Sequence, residues 1–527
     1  MKQQRLFQIL GLIDEDLIEE AWPDTPTVKK ASFFRRKPWL RGLSVAACCM
    51  LVCTFGFFYL VTGGFRGMGS SAPKTSGDSA APEIAADEAD SGSGMDFLSY
   101  AGPVLPLTTL EHNSLLTAQR SITWDFAPGT NDDGTPRQWG ACVKDGYTLS
   151  NPTGKDVTVT ALYPLAGSFA DLGSMAPKLM VDGSAADFTL YAGSYAGTFG
   201  DDNDQDGSTY NLAGPHCWED YAALLADRDD LSGALEDSFS LNIPVTVYRF
   251  SDFAAPYETY QAATQAVEFT IAPETTVLSY GFDGFCQDSE TGWRQYSYFV
   301  PSGRQQGSEL KLLVVLGADI GSYSLRGYAD GACENAIDGV SCTVSREETT
   351  LAAVVQELCW EELDRCANSA QQPDLVDLPL SLYEKASAEL LTVYGPLSGD
   401  PMDRYSDGRL DDLLQEALFM DRVLYLAVPV TIPARSSTEL SVTFWKEPSY
   451  DFGGSGTGRE GIQGFDLLTT AGSSLDFTGQ TASIVHADGV EVLGQDLGSS
   501  LKSGQGSVSL DLAKDMYFLE IRSRETP

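Results

Sequence analysis

Tyr147-Thr148-Leu149-Ser150-Asn151-Pro152-Thr153-Gly154-Lys155-Asp156-Val157-Thr158-Val159-Thr160-Ala161-Leu162-Tyr163 is the stretch on which the fold class turns. Tyr147 and Leu149 alternate with Thr148 and Ser150, and Val157, Val159 and Ala161 resume the alternation after a turn at Asn151 to Gly154. A period of two marks a strand with one buried face, because successive side chains on a strand point to opposite sides. Asn, Pro and Gly in the middle supply the turn. The stretch therefore reads as a β-hairpin. Short alternating segments of the same kind recur from about residue 100 onward, the pattern of stacked antiparallel sheets. The expected fold class is mainly β: tandem immunoglobulin-like β-sandwiches with helical insertions.

Working outward, a second copy of the pattern follows. Trp139 and the 147–163 segment resemble Trp293 with Tyr296, Tyr298 and Val300, for which Leu310, Leu312 and Val314 form the returning strand. Leu241-Asn-Ile-Pro-Val-Thr-Val and Leu426-Ala-Val-Pro-Val-Thr-Ile then share a proline at the same strand position. Proline cannot donate to a central ladder, so both positions are expected at an edge or bulge. In each case a helix precedes the strand, marked by Trp218, Tyr221, Leu225 and Leu235 in one and by Leu410, Leu414 and Leu418 in the other. An internal duplication predicts one sandwich over 95–273, a second over 274–447 with a helical insertion, and a smaller β unit over 448–527. Ser345-Arg-Glu-Glu348 has the form of a capping box opening the inserted helix, with Leu351, Val354, Val355 and Leu358 on one face; Leu382 to Val393 gives another helix.

Gly42 to Phe65 is an uncharged run of 24 residues between Arg41 and Arg66. At about 1.5 Å per residue it spans a hydrocarbon core of about 30 Å, so it predicts a transmembrane helix in contact with the lipid bilayer. Lys29, Lys30, Arg35, Arg36, Lys37 and Arg41 crowd its N-terminal side. The positive-inside rule then places residues 1–41 in the cytoplasm and everything after the span outside the cell membrane. The run is too long for a signal peptide and lacks a small-residue cleavage site after it. Residues 66–94, rich in Gly, Ser, Ala and Asp, read as a flexible acidic linker.

The formal charge of −40 divides unevenly. Residues 1–41 hold eight Lys and Arg against six Asp and Glu, so with Arg66 the remainder carries −43. Such a surface excludes nucleic acid bound through a basic patch and favours cations. In residues 1–22, Leu6, Ile9, Leu10, Ile13 and Leu17 recur at helical spacing with acidic residues between them. This short amphipathic helix has an apolar face to cover, and its acidic flank points to a cytosolic protein partner instead of an anionic membrane surface. Seven cysteines lie beyond the span, among which Cys333 and Cys342 bracket a turn region compatible with pairing.

The chemistry on offer is sparse. Asp202, Asp204, Asp206 and Ser208, with Gly207, present oxygens at alternate positions as a Ca²⁺ loop does. Ala213 stands where such a loop carries its bidentate Glu, leaving Glu219 or Asp220 as substitutes, and a plain acidic surface loop reads the same way. His112, His216 and His486 are the only histidines and are too scattered for a metal-protease helix. Trp124, Trp139, Trp218, Trp293, Trp360 and Trp445 suit either a sugar-stacking platform or a core, and the matching places of Trp139 and Trp293 in the two copies favour the core. No catalytic signature emerges, and neither a catalytic nor a cofactor-binding residue is assigned.

Leu12-Ile-Asp-Glu-Asp-Leu-Ile-Glu-Glu-Ala21, then basic residues, one span and an acidic exterior bearing Tyr-x-Leu-x-Asn-Pro-Thr, resembles single-pass membrane proteins of clostridia-type Gram-positive bacteria. Several proteins of that layout accompany sigma factors as transmembrane anti-sigma-like regulators. The resemblance implies a sigma factor or similar regulator at residues 1–22. Residues 1–41 contain no His or Cys, a departure from the zinc-binding anti-sigma domains. The expected function is a non-catalytic extracytoplasmic region that binds a ligand or partner and signals across the membrane. The alternatives are a structural or adhesive surface protein and, last, an extracytoplasmic hydrolase.

Overall fold

Strands Ala141–Asn151 and Val157–Gly167 flank the Asn151 turn as the alternation requires, but they do not pair with each other. In the computed structural model, which describes residues 100–524 apart from 112–114, 131–135, 138, 201–210, 227, 237–239, 257–261, 302–309, 368–377, 400–404, 406, 453–458 and 499–506, they join opposite sheets. The expected hairpin is an arch. Tyr147 and Leu149 on one sheet face Val159, Ala161 and Tyr163 on the other across a shared core. Alternation fixes which residues point inward in either arrangement, so it does not distinguish the two.

A second arch, strands Arg422–Ile432 and Ser436–Lys446, lies antiparallel along the first. Val157 pairs with Ile432 and Asn151 with Ser436. Asn151, 1% exposed, locks the two turns together. Its amide nitrogen donates to the carbonyls of Lys155 (2.8 Å) and Ile432 (3.0 Å), and its oxygen accepts from the Thr153 N–H (2.9 Å). Asn151→Ala strands these buried groups, and an unfolding titration should show a loss of about 1–3 kcal/mol.

The arches nucleate one sandwich. Its first sheet contains Thr108–Thr109, Val157–Gly167, Arg422–Ile432 and Thr189–Tyr195; its second is seven-stranded, running from Ser507–Leu510 through Asp476–Val485, Thr117–Asp125, Ala141–Asn151 and Ser436–Lys446 to the short pair Lys178–Val181 and Ser184–Ala185. Thr117–Asp125 and Asp476–Val485 pair in parallel. A second sandwich is inserted within the first. Its sheets are Thr276–Tyr280, Lys311–Leu316, Pro244–Ala254 and Ser341–Thr350, and Gly284–Asp288, Trp293–Pro301, Ala262–Thr270, Tyr323–Tyr328 and Ala336–Ile337. Helices Leu351–Ala367, Leu380–Glu389 and Leu410–Phe419 follow, and their apolar faces share one core with the first sandwich and with one face of the sheet containing Lys311–Leu316. That strand is buried throughout because its other face, through Leu313 and Val315, lines the inserted sandwich.

Several expectations are corrected by this topology. The sheets cross the boundaries drawn at 273 and 447: Arg422–Ile432 pairs with Val157–Gly167, and Asp476–Val485 with Thr117–Asp125. Trp293–Pro301 and Lys311–Leu316 fall in different sheets, so they too form an arch. Ser345 to Glu348 lie on the exposed edge strand Ser341–Thr350, and the helix starts at Leu351, because backbone pairing with Pro244–Ala254 runs to Thr350. Trp139 is 40% exposed, not core. The prolines are not at an edge strand or bulge: Arg422–Ile432 runs between Val157–Gly167 and Thr189–Tyr195, and Pro244–Ala254 between Lys311–Leu316 and Ser341–Thr350. They are accommodated because Pro429 lies beyond Ala427, where the pairing with Thr189–Tyr195 stops, and Pro244 is the first residue of its strand and pairs only with Thr350.

Among the described residues no helix is long and apolar enough to cross a membrane. The amphipathic helix of residues 1–22, the Gly42 to Phe65 run and the 66–94 linker lie outside the described residues.

Candidate functional site

Arg422 opens a strand that serves two cores. Leu424, Leu426 and Val428 face the main core, whereas Val423, Tyr425 and Ala427 face a cluster under helices Trp218–Ala226 and Asp229–Leu235. Arg422, Asp230 and Glu389 meet at this joint, 1%, 7% and 5% exposed. The Arg422 Nη1 donates to the Gly193 carbonyl at 2.9 Å and lies 3.5 Å from Glu389, while its guanidinium sits 4.9 Å from the Phe169 ring centre. Its Nε and Nη2 have no hydrogen-bond partner. Glu389 accepts the Tyr195 N–H at 2.9 Å, and Asp230 accepts the Tyr425 hydroxyl at 2.7 Å. Lys385 donates to the carbonyls of Gly233, Ala234 and Glu236, closing the end of the Asp229–Leu235 helix.

The helix approaches the strand because residue 193 is glycine. A Cβ there would lie 2.2 Å from Asp230 Oδ1, so any side chain displaces the carboxylate. Burial pushes the Asp230 carboxyl up to about 6, against the pull of the Tyr425 hydroxyl and the Arg422 charge. Burial likewise lowers Arg422, with Glu389 opposing, and lowers Lys385. In this cluster the Asp230 carboxyl therefore holds its proton more tightly than an exposed aspartate does. The neighbouring cleft, lined by Leu225, Arg228, Leu231 and Tyr425, has room for little more than a water molecule, far below a small-molecule pocket.

The residues singled out by sequence are not brought together here. Leu6, Ile9, Leu10, Ile13 and Leu17 lie outside the described residues, as do Asp202, Asp204, Asp206 and Ser208. The acidic loop joins strands Thr198–Gly200 and Asn211–Ala213, which pair as a hairpin. Asp220, a candidate substitute ligand, accepts the His216 N–H at 2.7 Å at the head of its helix. Among the described residues no three His, Cys, Asp or Glu are grouped to hold a metal ion. His486 pairs instead with Asp125 at 2.6 Å. The tryptophans do not make a common platform: Trp124 is core, Trp360 is 55% exposed on its helix, and Trp445 donates to the Trp139 carbonyl under the Arg137 guanidinium. Sequence reasoning missed Asp230, Glu389 and Arg422. The available signal was Arg422 at the head of the apolar run Val423 to Val428, where a charge has no solvent-facing register to spare.

No protein-family model matches this sequence, and no curated protein matches it.

Proposed function

We propose that the chain is a single-pass membrane protein whose extracytoplasmic β-sandwich region binds a ligand or partner without catalysis and whose N-terminal helix relays occupancy to a cytosolic regulator, in the manner of an anti-sigma factor. The observation that carries this reading is the uncharged Gly42 to Phe65 run with its one-sided basic flank, followed by a sheet-built body that begins at residue 100. Nested sandwiches of the immunoglobulin type suit that role, since paired strands hold surface loops on a rigid scaffold. Two clefts among the described residues are water-sized, and recognition in this proposal runs over the surface.

Immobilised residues 1–41 should retain a sigma factor or comparable regulator from the cytosol of the source organism. A Leu10→Asp/Ile13→Asp/Leu17→Asp peptide should retain less by more than about tenfold, because three apolar contacts are lost together. Equal retention by the two peptides would remove the signalling part of the proposal.

A further inference from the structure

The outer face of the inserted sandwich brings two thiols together from distant parts of the sequence. On strand Trp293–Pro301, Tyr296, Tyr298 and Val300 point into the sandwich core, so Gln295, Ser297 and Phe299 point out. Cys286 pairs with Gln295 and Gly284 with Ser297, which sets Cys286 on that outer face beside Ser297. The turn after strand Tyr323–Tyr328 belongs to the opposite side of the sheet, yet it folds back over the same face. Gly331 comes so close to Phe299 that a Cβ would lie 3.1 Å from its ring, and Asp330 fixes the turn by accepting the N–H groups of Glu334 (3.0 Å) and Asn335 (2.9 Å). Cys333, at φ +57°, follows Gly331 by two residues in this turn and is carried over the face that holds Ser297 and Cys286, both near enough to act on its charge. Gly284 leaves this space open, since a Cβ there would sit 2.4 Å from Ser297 Oγ.

Cys342 is on the other side. It packs against the interior cluster that contains Tyr298. Ser297 and Tyr298 point in opposite directions, so the sheet separates Cys333 from Cys342, and the pairing expected from their sequence spacing is not formed. We propose that Cys286 and Cys333 are a disulfide-forming pair that staples the edge strand Gly284–Asp288 to the 329–335 turn. Both are free thiols in this structure, Cys286 exposed and Cys333 partly buried.

The exposed Cys286 thiolate attacks a sulfur of a disulfide-bearing oxidant, giving a mixed disulfide and releasing one thiol. The Cys333 thiolate then attacks the Cys286 sulfur, forming the intramolecular bond and releasing the second thiol. Two electrons pass to the oxidant, and the two protons lost by the cysteines go to the thiols it becomes. In the cell such an oxidant is met outside the cytoplasm, so the bond's presence there rests on the orientation proposed above.

The full chain, purified reduced and equilibrated with oxidised glutathione, is alkylated and digested without reduction for peptide mapping. The expected product is a linked peptide pair containing Cys286 and Cys333, with an unfolding midpoint several degrees above that of the reduced protein. Cys286→Ser should abolish both the linked pair and the midpoint difference while circular dichroism stays unchanged. Separate glutathione adducts on the two cysteines, two alkylated thiols, or a Cys333–Cys342 link would each overturn the proposal. Because the oxidant is supplied, failure to pair counts against this geometry and leaves the orientation untouched.

Discussion

Arg120→Met is expected to cost about 3–5 kcal/mol in an equilibrium unfolding experiment, because it leaves a buried carboxylate without its cation. Arg120 and Asp145 are 2% and 0% exposed. The guanidinium grips Asp145 through Nε at 2.9 Å and Nη2 at 2.7 Å, and Nη1 donates to the Leu468 carbonyl at 2.7 Å. Asp145 also accepts the hydroxyls of Tyr147 (2.8 Å) and Tyr163 (3.0 Å), so one carboxylate ties the two strands of the first arch. Tyr147 in turn accepts the Leu107 N–H at 3.0 Å, which fixes the entering segment. The double variant Arg120→Met/Asp145→Leu should recover much of the loss, since no unpaired charge remains. A single variant as stable as the parent would show that the cluster does not clamp the sandwich.

That cluster was legible in principle. Ala118, Ile122 and Trp124 share the inward register of their strand with Arg120, and Val143, Tyr147 and Leu149 share theirs with Asp145. Opposite charges in the core-facing phase of two neighbouring strands are a signal for a buried pair, and alternation alone exposes it. Strand positions and the apolar faces of helices Leu351–Ala367 and Leu410–Phe419 were readable for the same local reason. Pairing was not, because a period of two states which residues are buried without stating against what. The partner of Val157 is Ile432, and the parallel partner of Ile122 is Ala482. Nothing in the local chain encodes separations of that size. Ser345 to Glu348 shows the converse failure, in which a valid local capping pattern yields to ladder hydrogen bonds with Pro244–Ala254. The joint of Asp230, Glu389 and Arg422 depends on three elements that meet only through such pairings, so its residues carried almost no joint signal.

Stability is expected to fall as pH rises from about 5 to about 8, by roughly 4 kcal/mol from three buried aspartates. Burial pushes Asp230, Asp411 and Asp466 each up to about 6. An unfolded aspartate titrates near 4, so each group loses about 1.4 kcal/mol per pH unit between 4 and 6, and about half of that loss falls above pH 5. The sign follows from the folded state holding its proton more tightly: the contribution is complete below the unfolded value and is lost as pH rises through about 6. Asp230 faces Arg422, Glu389, Tyr425 and Lys385; Asp466 accepts the Tyr100 hydroxyl at 2.6 Å and the Ser449 hydroxyl hydrogen bonds its N–H, with Lys446 nearby. Glu111, Asp319 and Asp330 are held below the usual carboxylate range by hydrogen bonds that outweigh their burial, so their contributions vanish only in more acidic solution and leave this window unaffected. Growing repulsion among the many surface carboxylates acts in the same direction as the buried aspartates, and the variants separate the two effects. Asp230→Asn, Asp411→Asn and Asp466→Asn should each remove about a third of the difference between denaturation midpoints at pH 5 and pH 8, and the triple variant should flatten it. A triple variant that keeps the parental pH slope would assign the effect to the surface, and the joint at Arg422 would then be a packing feature with no role in proton uptake.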